Sequence, residues 1–157
     1  MTIRQVHEMF PTVKARDLEG KDVTLPAAFE GERNLVAVAF RREQQSLVDS
    51  WAAWCEARAA ADPGFRFYEV PVIDRVWKPV RKMIDGGMAS AVGKPAVLRR
   101  TLTVYGDVSR LTTPLGIVDR STVALFLVDR SGAVCWTGSG RFEEGEANDL
   151  ERAALLA

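Results

Sequence analysis

Two runs of this chain are apolar almost without interruption. "LVAVAF" spans residues 35–40 and "TVALFLVD" spans residues 122–129. Successive residues of a strand point to opposite faces of its sheet, so a strand that is apolar throughout must be covered on both sides. That requirement calls for a layered α/β protein, with helices packed on a sheet. Runs of about seven residues are also far too short to cross a bilayer. At 157 residues the chain suits one domain around one core.

The elements between these runs can be read in order. "DLEGKDVTL" (17–25) turns at Gly20-Lys21-Asp22 and predicts a hairpin. Residues 43–61 read as one helix, with Leu47, Val48, Trp51, Trp54, Cys55 and Ala59 at three- and four-residue steps and Asp62-Pro63-Gly64 as its stop. "FRFYEVPVI" (65–73) is the next strand, and its Pro71, which has no N–H for a ladder, predicts an edge or a bulge. A helix is expected from about Pro79, weakened at Gly86-Gly87. "LTVYG" (102–106) reads as a short strand, and residues 107–121 carry mixed loop signals. Asp129-Arg130-Ser131-Gly132 predicts a tight turn into "AVCWTG" (133–138), and residues 143–156 an amphipathic terminal helix. "IVDRST" and "LVDRSG" look alike but serve different positions, so the match reads as chance.

The order is therefore an N-terminal extension and hairpin (1–33), a βαβ unit (34–74), a helical insertion and connection (75–118) and a ββα unit (119–157), all in one domain. A βαβ followed by a ββα is the order of the thioredoxin-like fold, a central mixed sheet flanked by helices. Within it, strands 35–40 and 122–129 are expected to be adjacent, parallel and central, with 133–137 on the far side of 122–129.

Lys plus Arg equals Asp plus Glu at 21 each, which argues against generic nucleic-acid binding. The charge is uneven, however. Residues 75–100 hold seven basic side chains and one acid, whereas residues 141–157 hold five acids and two arginines. The first twenty residues have no apolar secretory core, and Glu8, Asp17 and Glu19 argue against an organellar leader. A soluble, cytoplasmic protein is the expectation.

Several features resemble the mitochondrial ATP synthase assembly factor family, whose members are thioredoxin-like. These are Phe10-Pro11, "LEGKDVTLP" (18–26), "NLVAVAF" (34–40) followed by Trp51, "LFLVDRSGAVCWTGSG" (125–140) and a terminal helix of the form "EE…L…LL". The resemblance implies help in assembling the membrane sector of the ATP synthase, with a synthase subunit as partner, and implies no known catalysis.

Redox members of the fold need a thiolate where the first βαβ strand meets its helix, because the helix N-terminus lowers the thiol pKa. Here that junction reads Arg41-Arg42-Glu43-Gln44-Gln45-Ser46. Cys55 is expected about three turns into its helix and Cys135 in a strand, both as small buried side chains. The residues before strand 122–129 are "DRST", with no proline to take a cis bond, and Pro114 lies eight residues too early. His7 is the only histidine, so neither a Ser-His-acid triad nor a histidine-rich metal site is expected. Glu143 and Glu144 suit a helix first turn, and Gly138-Ser139-Gly140 suits tight backbone turning. Trp51, Trp54 and Trp136 suit the core.

Neither a cofactor nor a metal is expected. The candidate interaction surface comprises Arg41 and Arg42 at the vacated redox position, together with Arg75, Trp77, Lys78, Arg81, Lys82, Arg99 and Arg100. The function expected is binding of a protein partner, as an assembly or chaperone-like factor without redox chemistry. One alternative is a peroxiredoxin-like thiol oxidoreductase using Cys55 or Cys135. Another is a peripheral membrane or anionic-ligand binder acting through residues 75–100.

Overall fold

The computed structural model describes residues 8–73, 100–106 and 108–156. Its elements are β1 (Val13–Asp17), β2 (Asp22–Leu25), β3 (Arg33–Ala39), α1 (Gln45–Asp49), α2 (Ala52–Ala61), β4 (Phe65–Ile73), β5 (Leu102–Tyr105), α3 (Val108–Thr112), β6 (Ala124–Asp129), β7 (Val134–Ser139) and α4 (Glu144–Leu156). The seven strands form one sheet in the order β2-β1-β5-β4-β3-β6-β7.

The double-faced apolar pattern lands at the centre of that sheet. Val36 and Val38 of β3 face a cluster with Phe10, Phe29, Tyr68, Val70 and Phe126. Leu35 and Ala37 face the opposite cluster, with Val48, Trp51, Cys55, Phe65, Leu125 and Leu150. Both layers are built on one strand, which is why no polar residue interrupts it beyond Asn34. Asn34 is buried but fully engaged: its amide accepts from Gly31 N–H at 2.8 Å and donates to the carbonyls of Gly31 and Val128 at 2.9 and 3.0 Å. Trp51 and Trp136 are buried as expected and Trp54 is half-buried. Trp51 packs edge-on against Trp54, Trp136 and Phe142, and its indole N–H donates to the Gly140 carbonyl at 3.0 Å.

The hairpin forms as the sequence predicts. The Asp17 carboxylate accepts from the N–H groups of Glu19 and Lys21, and Gly20 takes φ +90°. β1 then joins the main sheet through β5.

Five expectations need correction. First, β3 and β6 are adjacent and central, but antiparallel. Apolarity on both faces says that a strand is central and nothing about its direction. The chain leaves β5 at the end of the sheet where β6 begins, so the short connection through α3 never returns to the other end. Second, Pro71 is not at an edge, because β4 lies between β3 and β5. The β4–β5 pairing instead passes over Val70 and Pro71, joining Glu69 to Thr101 and Val72 to Val104. Third, the helix over 43–61 is divided. A 3-10 turn (Arg42–Gln44) leads into α1, and α2 starts only at Ala52. Ser50 sits at the break, its hydroxyl donating to the Leu47 carbonyl at 2.6 Å and accepting from Phe142 N–H at 2.9 Å. Fourth, α3 occupies a stretch read as loop. Fifth, the two "VDRS" segments share a local structure. In each, the Asp Oδ1 accepts from the N–H and the hydroxyl of the Ser two residues on. The expected helix from about Pro79 lies outside the described residues.

Candidate functional site at the end of strand β3

The corner where a redox thioredoxin would carry its thiolate is filled by Gln44. β3 ends at Ala39, the chain passes Phe40 and Arg41, and the 3-10 turn brings the Gln44 side chain back under the strand end, where it is 3% exposed. Gln44 Oε1 accepts from the N–H groups of Phe40 at 2.8 Å and Arg41 at 3.2 Å. Gln44 Nε2 donates to the carbonyl of Arg120 at 2.9 Å. One side chain thus ties the end of β3 to the loop that enters β6. The turn at Asp119 presents that carbonyl. Its carboxyl is held below the usual range by the hydrogen bonds from Ser121, with Arg41 contributing.

Three arginines flank this staple in the chain segments it joins. Arg41 and Arg42 are exposed, as expected, and Arg120, which carries no local signal in the sequence, joins them. Arg120 lies over the Phe40 ring at 5.7 Å and reaches Thr112 Oγ1 at 3.5 Å. None of the three makes an ion pair with a described residue. Glu43 and Asp119 are the acids of the corner. Beside it, a cavity of about 240 Å³ opens between residues 115–119 and the adjoining ends of β6 and β7.

Neither cysteine is near the corner in a reactive form. Cys55 is 2% exposed against the helix-side core, and burial pushes its thiol far above the ordinary value despite the nearby Arg100. The break at Ser50–Trp51 places Cys55 in the first turn of α2, not three turns along a single helix as expected. Desolvation nevertheless dominates. Cys135 is half-buried on β7, and burial followed by the Asp129 charge raises its thiol too.

The other candidates divide. Arg100 is half-buried, not on an exposed basic face: it lies over the Phe67 ring at 5.8 Å, and its buried Nε has no hydrogen-bond partner among the described residues. The Glu69–Thr101 bridge sets it against β4, and the partly buried Glu69 carboxyl, raised by desolvation, lies within its field. Arg75, Trp77, Lys78, Arg81, Lys82, Arg99 and His7 lie outside the described residues. Glu144 and Glu146 occupy the first turn of α4.

No protein-family model matches the chain, and no curated protein matches it. Solved structures do. BsSco, a member of the Sco family of cytochrome c oxidase assembly proteins, is 13% identical, with 99% of each chain covered and a TM-score of 0.65. The thioredoxin domain of a thiol-disulfide oxidoreductase from Bacteroides vulgatus is 23% identical, covering 94% of this chain and 96% of that one at a TM-score of 0.55. StoA from Bacillus subtilis is 13% identical, covering 94% and 98% at a TM-score of 0.55. The chain has a thioredoxin-like fold. No helix among the described residues is long and apolar enough to cross a membrane.

Gln44 and Arg120 went unread in the sequence because they are 76 positions apart and their pairing is tertiary. A glutamine following a strand carries no periodic signal of its own.

Proposed function

We propose that this chain is a thioredoxin-fold protein without thiol–disulfide chemistry that acts by binding a protein partner, as an assembly or chaperone-like factor. The observation that carries this reading is Gln44: a buried, triply hydrogen-bonded polar staple holds the position where redox chemistry would need a thiolate. Two cysteines with raised thiol pKa values, one of them buried, support it. The resemblance to the ATP synthase assembly factor family suggests the partner, a subunit of the synthase. An assembly role has a parallel on this fold in BsSco, which belongs to a family of cytochrome c oxidase assembly proteins.

The test has two arms. Insulin reduction and peroxide consumption by the purified protein should stay at background. Turnover that disappears in Cys55→Ala or Cys135→Ala would overturn the non-redox reading. Capture of ATP synthase membrane-sector subunits from cells of the source organism should succeed, and consistent failure would remove the synthase as partner.

A further inference from the structure

The geometry points to the recognition surface and to the chemistry of its partner: the arginine corner and the adjoining cavity form one docking site for an acidic protein segment that carries an apolar side chain. This inference rests on the binding-protein reading above and specifies where and what the chain binds.

Three observations converge. Arg41, Arg42 and Arg120 are exposed around one strand end, and none is engaged in an ion pair with a described residue. Guanidinium forks match carboxylates in geometry as well as charge. The protein is neutral overall, so attraction for an acidic partner has to come from a local cluster such as this one. Glu43 opposes it. So does Asp119, whose carboxylate is kept ionised by the N–H and hydroxyl of Ser121 and already lies in the field of Arg41, so three arginines against two acids leave the corner a net charge of +1.

The cavity adjoins the corner through Asp119. Asp119 and Thr122 line it, and Arg120 lies between them. Its lining includes Leu115, Ile117, Ala124, Phe126 and Thr137. At about 240 Å³ it is smaller than a typical small-molecule pocket and suits one or two side chains. Val118, on the cavity wall, is 92% exposed, the most exposed of the large apolar side chains described. An apolar residue of the partner can therefore enter the cavity while neighbouring carboxylates reach the arginines. A membrane surface fits less well, because the corner offers one exposed valine and no amphipathic apolar face to insert.

The test uses fluorescence anisotropy with a dye-labelled synthetic peptide alternating Glu and Leu. Control peptides alternate Lys with Leu and Glu with Ser. The Glu/Leu peptide should bind, and the Lys/Leu peptide should not. Arg41→Glu/Arg42→Glu should weaken binding at least about tenfold at low salt, as removal and reversal of steering charges would. That difference should fade towards about 1 M salt, where the screening length is about 3 Å. Val118→Asp should weaken binding as well, and the Glu/Ser peptide should bind less tightly than Glu/Leu. Arg130→Glu reverses one arginine at the opposite end of β6, half the charge change of the double variant, and should leave affinity unchanged. Thermal melts on each variant confirm folding.

The proposal is overturned if the Glu/Leu peptide does not bind, if Lys/Leu binds equally well, or if the arginine variant binds as tightly as the parent. It is also overturned if the corner proves to be a self-interface, seen as association in sedimentation that Arg41→Glu/Arg42→Glu abolishes. Binding to anionic vesicles but not to the Glu/Leu peptide would reassign the surface to membranes. Each of these results leaves the non-redox reading standing, because that reading is decided by turnover assays alone.

Discussion

Replacing Gln44 tests whether the redox corner has become a structural staple. Gln44→Met keeps most of the side-chain volume and removes every polar contact. Three hydrogen bonds are lost, two of them sharing Oε1, and a typical bond contributes about 1 kcal/mol net. Water can rehydrate part of what is left, because Arg41 and Arg120 are exposed and Phe40 is half-buried. A loss of about 2–3 kcal/mol is expected, in the lower half of the range of about 1.5–4.5 kcal/mol for three modest bonds because water reaches part of the site. For a chain of this size that lowers Tm by about 5–10 °C. Urea denaturation followed by tryptophan fluorescence gives the stability, and hydrogen exchange gives the location. Exchange at the Phe40 and Arg41 amides should accelerate more than exchange in the centre of β3. Gln44→Glu supplies a second check. It keeps the acceptor but turns a carboxylate oxygen toward the Arg120 carbonyl, which favours the protonated form and raises the folded-state pKa. Its deficit relative to the parent should therefore be smallest below the ordinary carboxyl pKa and grow as pH rises through the folded-state value. A Gln44→Met variant with unchanged midpoint and unchanged amide protection would refute the staple.

Three further outcomes are expected. Arg33 grips Asp62 with Nε–Oδ2 and Nη2–Oδ1 distances of 2.7 and 2.8 Å and lowers its carboxyl to about 2. The stability this lends is present above the ordinary Asp pKa near 4 and is lost as pH falls toward about 2; Asp62→Asn should cost on the order of 1–2 kcal/mol at neutral pH, allowing for screening, and nearly nothing at the acid end, as read by denaturant melts across pH. Cys55→Ala should fold and lose about 1–2 kcal/mol of packing, while a thiol reagent applied to the native parent should label Cys55 far more slowly than in denaturant. Gly138→Ala should cost about 1–3 kcal/mol in a denaturation series, since an added Cβ would run into the Trp136 indole and come within 3.1 Å of the Glu146 carboxyl.

Local sequence determined much of this protein. The unbroken apolar runs required a two-faced sheet, the glycine and aspartate turns set both hairpins, and the charge-rich junction after residue 40 announced a corner without a thiol. Those features act over a few residues, where periodicity and backbone preference are decisive. Direction and partnership were decided only by the tertiary structure. Two strands apolar on both faces pack equally well parallel or antiparallel, so the orientation of β6 followed from the end of the sheet at which the connection through α3 delivered it. Pro71 could enter a central strand because its neighbour's ladder skips that position. The helix break arose where the Ser50 hydroxyl found the distant Phe142 N–H. Gln44 gained its role from a carbonyl 76 residues away, and Arg120 joined the corner by stacking on Phe40. Hydrogen bonds and ring contacts between remote segments exist only once the chain has closed, and no local pattern encodes them.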